Sequence, residues 1–173
     1  IIDADGNEVM RKTYDEVKNN DNKLSILAGS YTLVASSSSD EVPAAAFEQP
    51  VYGVSKEFTI EAGMTTPIGE LVCTLQQCKV TVSYSDDFLQ MVTGPCSTKV
   101  TVDPEMPLEY VLNADKTYEQ SAGYFAVTGS TMIVVFKGNI NGNSAAQTIT
   151  ISNIAPKQWR QIKFIPKVDE EGN

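Results

Sequence analysis

Polar and apolar residues alternate with a period of two through the middle of the chain. Between Phe58 and Tyr84, Phe58 and Ile60 alternate with Thr59 and Glu61 until Ala-Gly-Met-Thr-Thr-Pro breaks the run. Leu71, Cys73 and Leu75 form a second set, interrupted by Gln76-Gln77. Val80, Val82 and Tyr84 form a third, with Lys79, Thr81 and Ser83 between them. Successive side chains of a strand point to opposite faces, so each run predicts a strand with one face to bury and one to wet.

The same reading extends in both directions. Ile1 to Val9 predicts a strand broken at Asp3-Ala-Asp5-Gly6-Asn7, where Gly and Asn tolerate positive φ. Met10 to Lys18 is open between a strand and one helical turn. After the polar turn Asn19 to Asn22, Leu24 to Ala35 places Tyr31 and Leu33 on one face. Ser36 to Pro50, with four consecutive serines and two prolines, predicts a long solvated connector.

Further on, Phe88 to Val92 predicts a helical turn N-capped by Ser85 or Asp86. Thr98 to Val102, Leu108 to Leu112, Tyr124 to Val127, Thr148 to Ile151 and Gln161 to Ile165 predict strands. The two prolines of Asp103 to Pro107 keep that piece out of a central strand. Met132 to Phe136 is continuously apolar and β-branched, which predicts a strand buried on both faces. Asn141-Gly142 is a strong hairpin signal. Short strands with frequent turn signals predict an all-β fold. The expected architecture is two Greek-key β-sandwich domains, residues 1–75 and 76–173, with the boundary near Leu75 to Gln77.

Composition narrows the chemistry. The 173 residues are 42% hydrophobic, enough for a packed core. Thirteen basic residues against 22 acidic, a net charge of -9, argue against nucleic acid and against an anionic membrane surface as partners. The sequence contains no histidine. That excludes the Ser-His-Asp triad, Cys-His nucleophiles, an imidazole base and any zinc site that needs imidazole. Three cysteines are too few for a disulfide scaffold or a four-cysteine zinc site. The longest wholly apolar run, Met132 to Phe136, is far short of the ~20 residues that span a bilayer. The abrupt start at Ile1 and the turn chemistry of Asp169 to Asn173 read as a trimmed segment, with a targeting sequence removed and further polypeptide following.

Candidate sites are sparse. Asp3, Asp5, Asn7 and Glu8 offer oxygen ligands for calcium, but Lys12 stands where an EF-hand loop has its bidentate glutamate, and a solvated turn is expected. Cys73 and Cys78 could bridge if the chain reverses at Gln76-Gln77; otherwise they serve as small buried hydrophobes. Tyr118, Tyr124, Phe125 and Trp159 could form an aromatic platform for sugars or belong to a sandwich core, the expected alternative. The adjacent pairs Asp86-Asp87 and Glu170-Glu171 resemble turn or tail charge, not a catalytic pair. No catalytic, cofactor-binding or metal residue is assigned, no cofactor is expected, and the chain reads as non-enzymatic.

One pattern carries a family resemblance. Asp3-Ala-Asp5-Gly6-Asn7-Glu8-Val9, Leu27-Ala-Gly-Ser-Tyr31-Thr-Leu-Val-Ala35 and Phe58-Thr-Ile-Glu-Ala-Gly63-Met-Thr-Thr66 resemble transthyretin-like, or carboxypeptidase-regulatory-like, domains. Residues 24 to 88, with Phe47-Glu48-Gln49-Pro50-Val51-Tyr52-Gly53 in a loop and Cys78 to Ser85 as a following strand, are similar to fimbrillin-like proteins and surface lipoproteins of Bacteroidetes. The resemblance implies a transthyretin-like first sandwich and export to the cell surface or outer membrane. It also implies a lipid anchor, absent from this sequence, as the only membrane contact. The function it implies is a fimbrial subunit or adhesin assembled by strand exchange with other pilus subunits, or binding a protein or glycan on a host or bacterial surface. The alternative is a glycan-binding accessory module of a polysaccharide-utilisation system.

Overall fold

The computed structural model describes residues 1–38, 41–102 and 106–167. In chain order its elements are β1 (Ile2–Asp3), α1 (Tyr14–Asn19), β2 (Gly29–Ser36), β3 (Ala45–Phe47), β4 (Tyr52–Ile60), β5 (Thr74–Leu75), β6 (Gln77–Tyr84), α2 (Asp86–Met91), β7 (Cys96–Thr101), β8 (Leu108–Leu112), β9 (Gly123–Ala126), β10 (Thr131–Ile140), β11 (Asn143–Ser152) and β12 (Trp159–Phe164). The protein is all-β, as its patterning predicts. Neither described helix is long and apolar enough to cross a membrane. The chain forms two compact units, one from Ile1–Ser39 with Tyr52–Thr74, the other from Asp40–Val51 with Leu75–Asn173.

In the first unit β2 is central. It pairs antiparallel with β4 from Gly29↔Ile60 to Ser36↔Gly53, and with β1 at Ile2↔Thr32 and Asp3↔Tyr31. This register puts Tyr31, Phe58, Leu33 and Ile60 on one face and Ser30, Thr59, Thr32 and Glu57 on the other. The Tyr31 and Phe58 rings lie 5.8 Å apart. The open segment Met10 to Lys18 resolves as the start of α1, because Thr13 closes a capping box with Glu16. A two-layer sandwich is expected here; among the described residues the unit has one sheet and one short helix. Among the described residues none of the buried apolar side chains belongs to it.

The second unit holds the core. Its two four-stranded sheets run β12-β6-β9-β3 and β11-β10-β7-β8. Alternation fills the space between them. Cys78, Val80, Val82 and Tyr84 come from β6, Val100 from β7, Tyr110 and Leu112 from β8, and Met132, Val134 and Phe136 from β10, with Phe125 and Phe164. Tyr84, Phe88, Phe136 and Phe164 form a ring cluster with neighbouring centroids 5.1–5.7 Å apart. β12 runs parallel to β6, in register from Trp159↔Lys79 to Phe164↔Tyr84. Asn141 and Gly142 supply the two positive φ values of the β10–β11 hairpin, 50° and 79°.

Three local expectations are corrected. Met132 to Phe136 is buried on one face only: Met132, Val134 and Phe136 are buried while Ile133 is 42% exposed, and β-branching there reflects strand preference. Of the run Leu71 to Leu75 only Thr74–Leu75 is strand, and Cys73 is exposed. The stretch Ser36 to Pro50 is no mere connector, since its β3 pairs with β9 from Ala45↔Phe125 to Phe47↔Gly123. The helical turn after Ser85 forms as expected, with the Ser85 hydroxyl accepting from Phe88 N–H at 3.2 Å. Residues Asp103 to Glu105 of the proline-rich piece lie outside the described residues.

Candidate functional site

Burial of Cys78, Val80, Val82 and Tyr84 forces Lys79, Thr81 and Ser83 onto the outer face of β6. The parallel register then sets Trp159 beside Lys79, Gln161 beside Thr81 and Lys163 beside Ser83. Trp159 is 55% exposed. Its indole Nε1–H donates to Thr81 Oγ1 at 3.0 Å, and Lys79 Nζ sits 4.6 Å from the ring centroid. An ammonium over an aromatic face and a hydroxyl at the ring edge hold the indole in one orientation, which lowers the entropy lost when something stacks on it. The strip offers an apolar ring, two ammonium groups, a primary amide and hydroxyls. It contains no carboxylate and no nucleophile held by a base.

The four aromatics read as a possible platform are dispersed. Phe125 is fully buried and Tyr124 nearly so. Tyr118 packs edge-on against Tyr84 at 5.1 Å and belongs to the core fringe. Trp159 is the member that faces water. Its signal in sequence was the polar alternation of its own strand, Trp-Arg-Gln-Ile-Lys-Phe, where the tryptophan takes the parity of Gln161 and Lys163.

The acidic turn near the start is closed on itself. Asp3 Oδ1 accepts from Asn7 N–H at 2.8 Å and Asp5 N–H at 3.0 Å, and the Asn7 N–H holds the Asp3 carboxyl below its usual range. Glu8 is paired instead with Arg11, at 2.6 Å. Among the described residues no group of three or more Cys, Asp or Glu side chains could hold a metal ion. Beside the turn, a shallow groove of about 450 Å³ is lined by Asp3, Ser30, Tyr31, Thr32, Glu57 and Thr59 among others, a polar surface with no buried charge.

The cysteines are all free: Cys73 is exposed, while Cys78 and Cys96 are buried, and burial pushes the Cys78 thiol up. Asp86 and Asp87 lie in the first turn of α2. Glu170 and Glu171 lie outside the described residues. Sequence reading missed the buried polar groups that fix the core. Tyr110 donates to Val80 O at 3.0 Å and accepts from Gly123 N–H at 3.1 Å, and its burial raises the phenol's pKa. Gln77 is fully buried and its Oε1 accepts from Val51 N–H at 2.8 Å. No local motif marks either residue, because their partners lie far away in sequence.

No curated protein and no solved structure matches the chain. The model of the family described as "Domain of unknown function (DUF4493)" matches residues 1–173, and the chain belongs to that family.

Proposed function

We propose that this is a non-enzymatic, exported cell-surface protein, a fimbrial subunit or adhesin that assembles by strand exchange. The observation that carries the reading is the first unit's sheet. Its apolar face, with Tyr31, Leu33, Phe58 and Ile60, leaves every one of these side chains only half-buried. A strand-exchange subunit has such a face in its free form, and an extended segment of a neighbour completes it with backbone hydrogen bonds and side-chain burial. The absence of histidine from the sequence supports a binding role over hydrolysis. The finer kinship, with Greek-key sandwiches of the fimbrillin-like or transthyretin-like kind and a lipid anchor at the outer membrane, is part of this proposal.

The test is the native mass of the mature protein before and after limited proteolysis of its N-terminal segment. Detergent-resistant oligomers that grow after cleavage support strand exchange. A mass unchanged except for the lost peptide overturns it.

A second reading has its own observation, the oriented and exposed Trp159. In a glycan-binding module this ring stacks on a pyranose face while Lys79, Thr81 and Gln161 bond its hydroxyls. Binding on a glycan array that disappears in Trp159→Ala supports it; an array signal indifferent to that change removes it.

A further inference from the structure

The second unit has four sheet edges, and three of them are managed against association. β3 is three residues long. β12 carries Arg160 and Lys163. β8 is five residues with Glu109 at its second position and Pro107 just before it. β11 is different. Its ten residues, Asn-Ser-Ala-Ala-Gln-Thr-Ile-Thr-Ile-Ser, contain no charge and no proline. Its pairing with β10 runs without a bulge from Thr131↔Ser152 to Ile140↔Asn143. Among the described residues no other strand pairs with its far side. A long, bulge-free, neutral edge leaves the outward N–H and C=O groups of alternate residues without a strand partner, which is the arrangement natural sheets avoid unless the edge is used.

The parity of the strand adds a second observation. Ile149 lies opposite Val134, and Ile151 opposite Met132, so both isoleucines belong to the core-facing side. Ile149 is nevertheless 38% exposed, while Val134 beside it is 1% exposed. The core-facing row therefore runs past the rim of the sandwich and stops at β11 with an apolar group in water.

We infer that β11 pairs antiparallel with β11 of a second copy of this chain, joining two four-stranded sheets into one of eight. The occupant follows from charge and symmetry. In an isologous contact the same strand supplies both sides, so a net charge on it would be brought against an equal charge of the same sign. β11 has none, in a chain of net charge -9. An edge built for a charged foreign segment would carry complementary charge. Antiparallel self-pairing about an axis at Ile149 also preserves parity: Ile149 meets its own copy and Thr148 meets Thr150 of the second copy, so the threonines share one face and the isoleucines the other. Residues 146–152 would pair with their copies through about six to eight backbone hydrogen bonds, and Ile149 would gain the neighbour it lacks. This contact is separate from strand exchange and does not depend on it.

The experiment is sedimentation of the intact chain over a range of concentrations, alongside the double variant Thr148→Lys/Thr150→Lys and the control Gln161→Lys on β12. Both threonines are exposed, so the lysines burden the edge without entering the core. The inference expects a dimer for the parent chain and the control, and a dissociation constant raised about tenfold or more in the double variant. A chain that stays monomeric up to millimolar concentration overturns it and leaves the edge to a foreign strand. A dimer that survives the double variant, or that Gln161→Lys dissolves, overturns it too. If the double variant fails to fold, hydrogen exchange on the parent chain decides. Amide protection in Asn143–Ser152 that rises with protein concentration supports self-pairing, and protection independent of concentration overturns it.

Discussion

The two units use the same alternating strands to opposite ends. In the second, two sheets face one another and Val80, Val100, Leu112, Phe125 and Met132 lose all contact with water. In the first, a register of eight unbroken pairs between β2 and β4 is as regular as anything in the second unit, yet among the described residues it encloses no buried apolar side chain. Regular hydrogen bonding thus does not imply a core. Each backbone hydrogen bond nets only about 1 kcal/mol after water is counted, whereas each fully buried large side chain contributes about 1.5–3 kcal/mol. The stability of the molecule should therefore be concentrated in the second unit.

The sharpest way to break this comparison is to truncate one phenylalanine in each unit. Phe125→Ala should cost about 3–5 kcal/mol in urea unfolding of the second unit, from lost burial and a cavity. Phe58→Ala, at a half-buried position, should cost about 1 kcal/mol. Equal losses would show that the first unit has a core of its own. Next in size, Gly138→Ala should cost about 1–3 kcal/mol, because the added methyl overlaps the side chain of Cys96. A comparable loss of about 1–3 kcal/mol is expected for Tyr110→Phe, which strips the Val80 carbonyl and the Gly123 N–H of a shared partner. A melting temperature unmoved by either change would mean that the second unit is loosely packed.

The smallest effect belongs to the first unit's helix. Glu16 is held at about 2, from an ordinary 4.5, chiefly by the Thr13 N–H and then by Lys12. A depressed carboxylate stabilises the fold above its unfolded pKa, so this contribution is whole above about pH 4.5 and is lost as pH falls toward 2. An NMR titration of the Glu16 carboxyl should give that low midpoint, and Thr13→Ala should move it upward. A midpoint near 4.5 in the parent chain would remove the capping box from solution.

How much of this was legible in the sequence depended on range. The Asn141-Gly142 hairpin, the Ser85 cap and the inward parity of Val80, Val82 and Tyr84 were readable, because each is decided within a few residues. The parallel pairing of β12 with β6 was not: Trp159 finds Thr81 across 78 positions, and nothing local announces it. The same holds for Gly138 beneath Cys96 and for Tyr110 between Val80 and Gly123. Met132 to Phe136 misled for another reason, since hydrophobic β-branched residues favour strands whether or not both faces are covered. The aromatic set was half legible. Composition named the rings, and only the three-dimensional register separated the exposed Trp159 from the buried Tyr124 and Phe125 and the partly buried Tyr118.

The pairing of β12 with β6 also has a mechanical meaning. These strands run in the same direction, with six positions in register. A tension applied at the Gln77 end of β6 and the Phe164 end of β12 therefore pulls along the ladder, in shear. Its hydrogen bonds share the load and must fail together, whereas the antiparallel hairpin of β10 and β11, pulled from its open end, would unzip one pair at a time. In a protein held between two attachment points, that junction sets the force at which the second unit gives way.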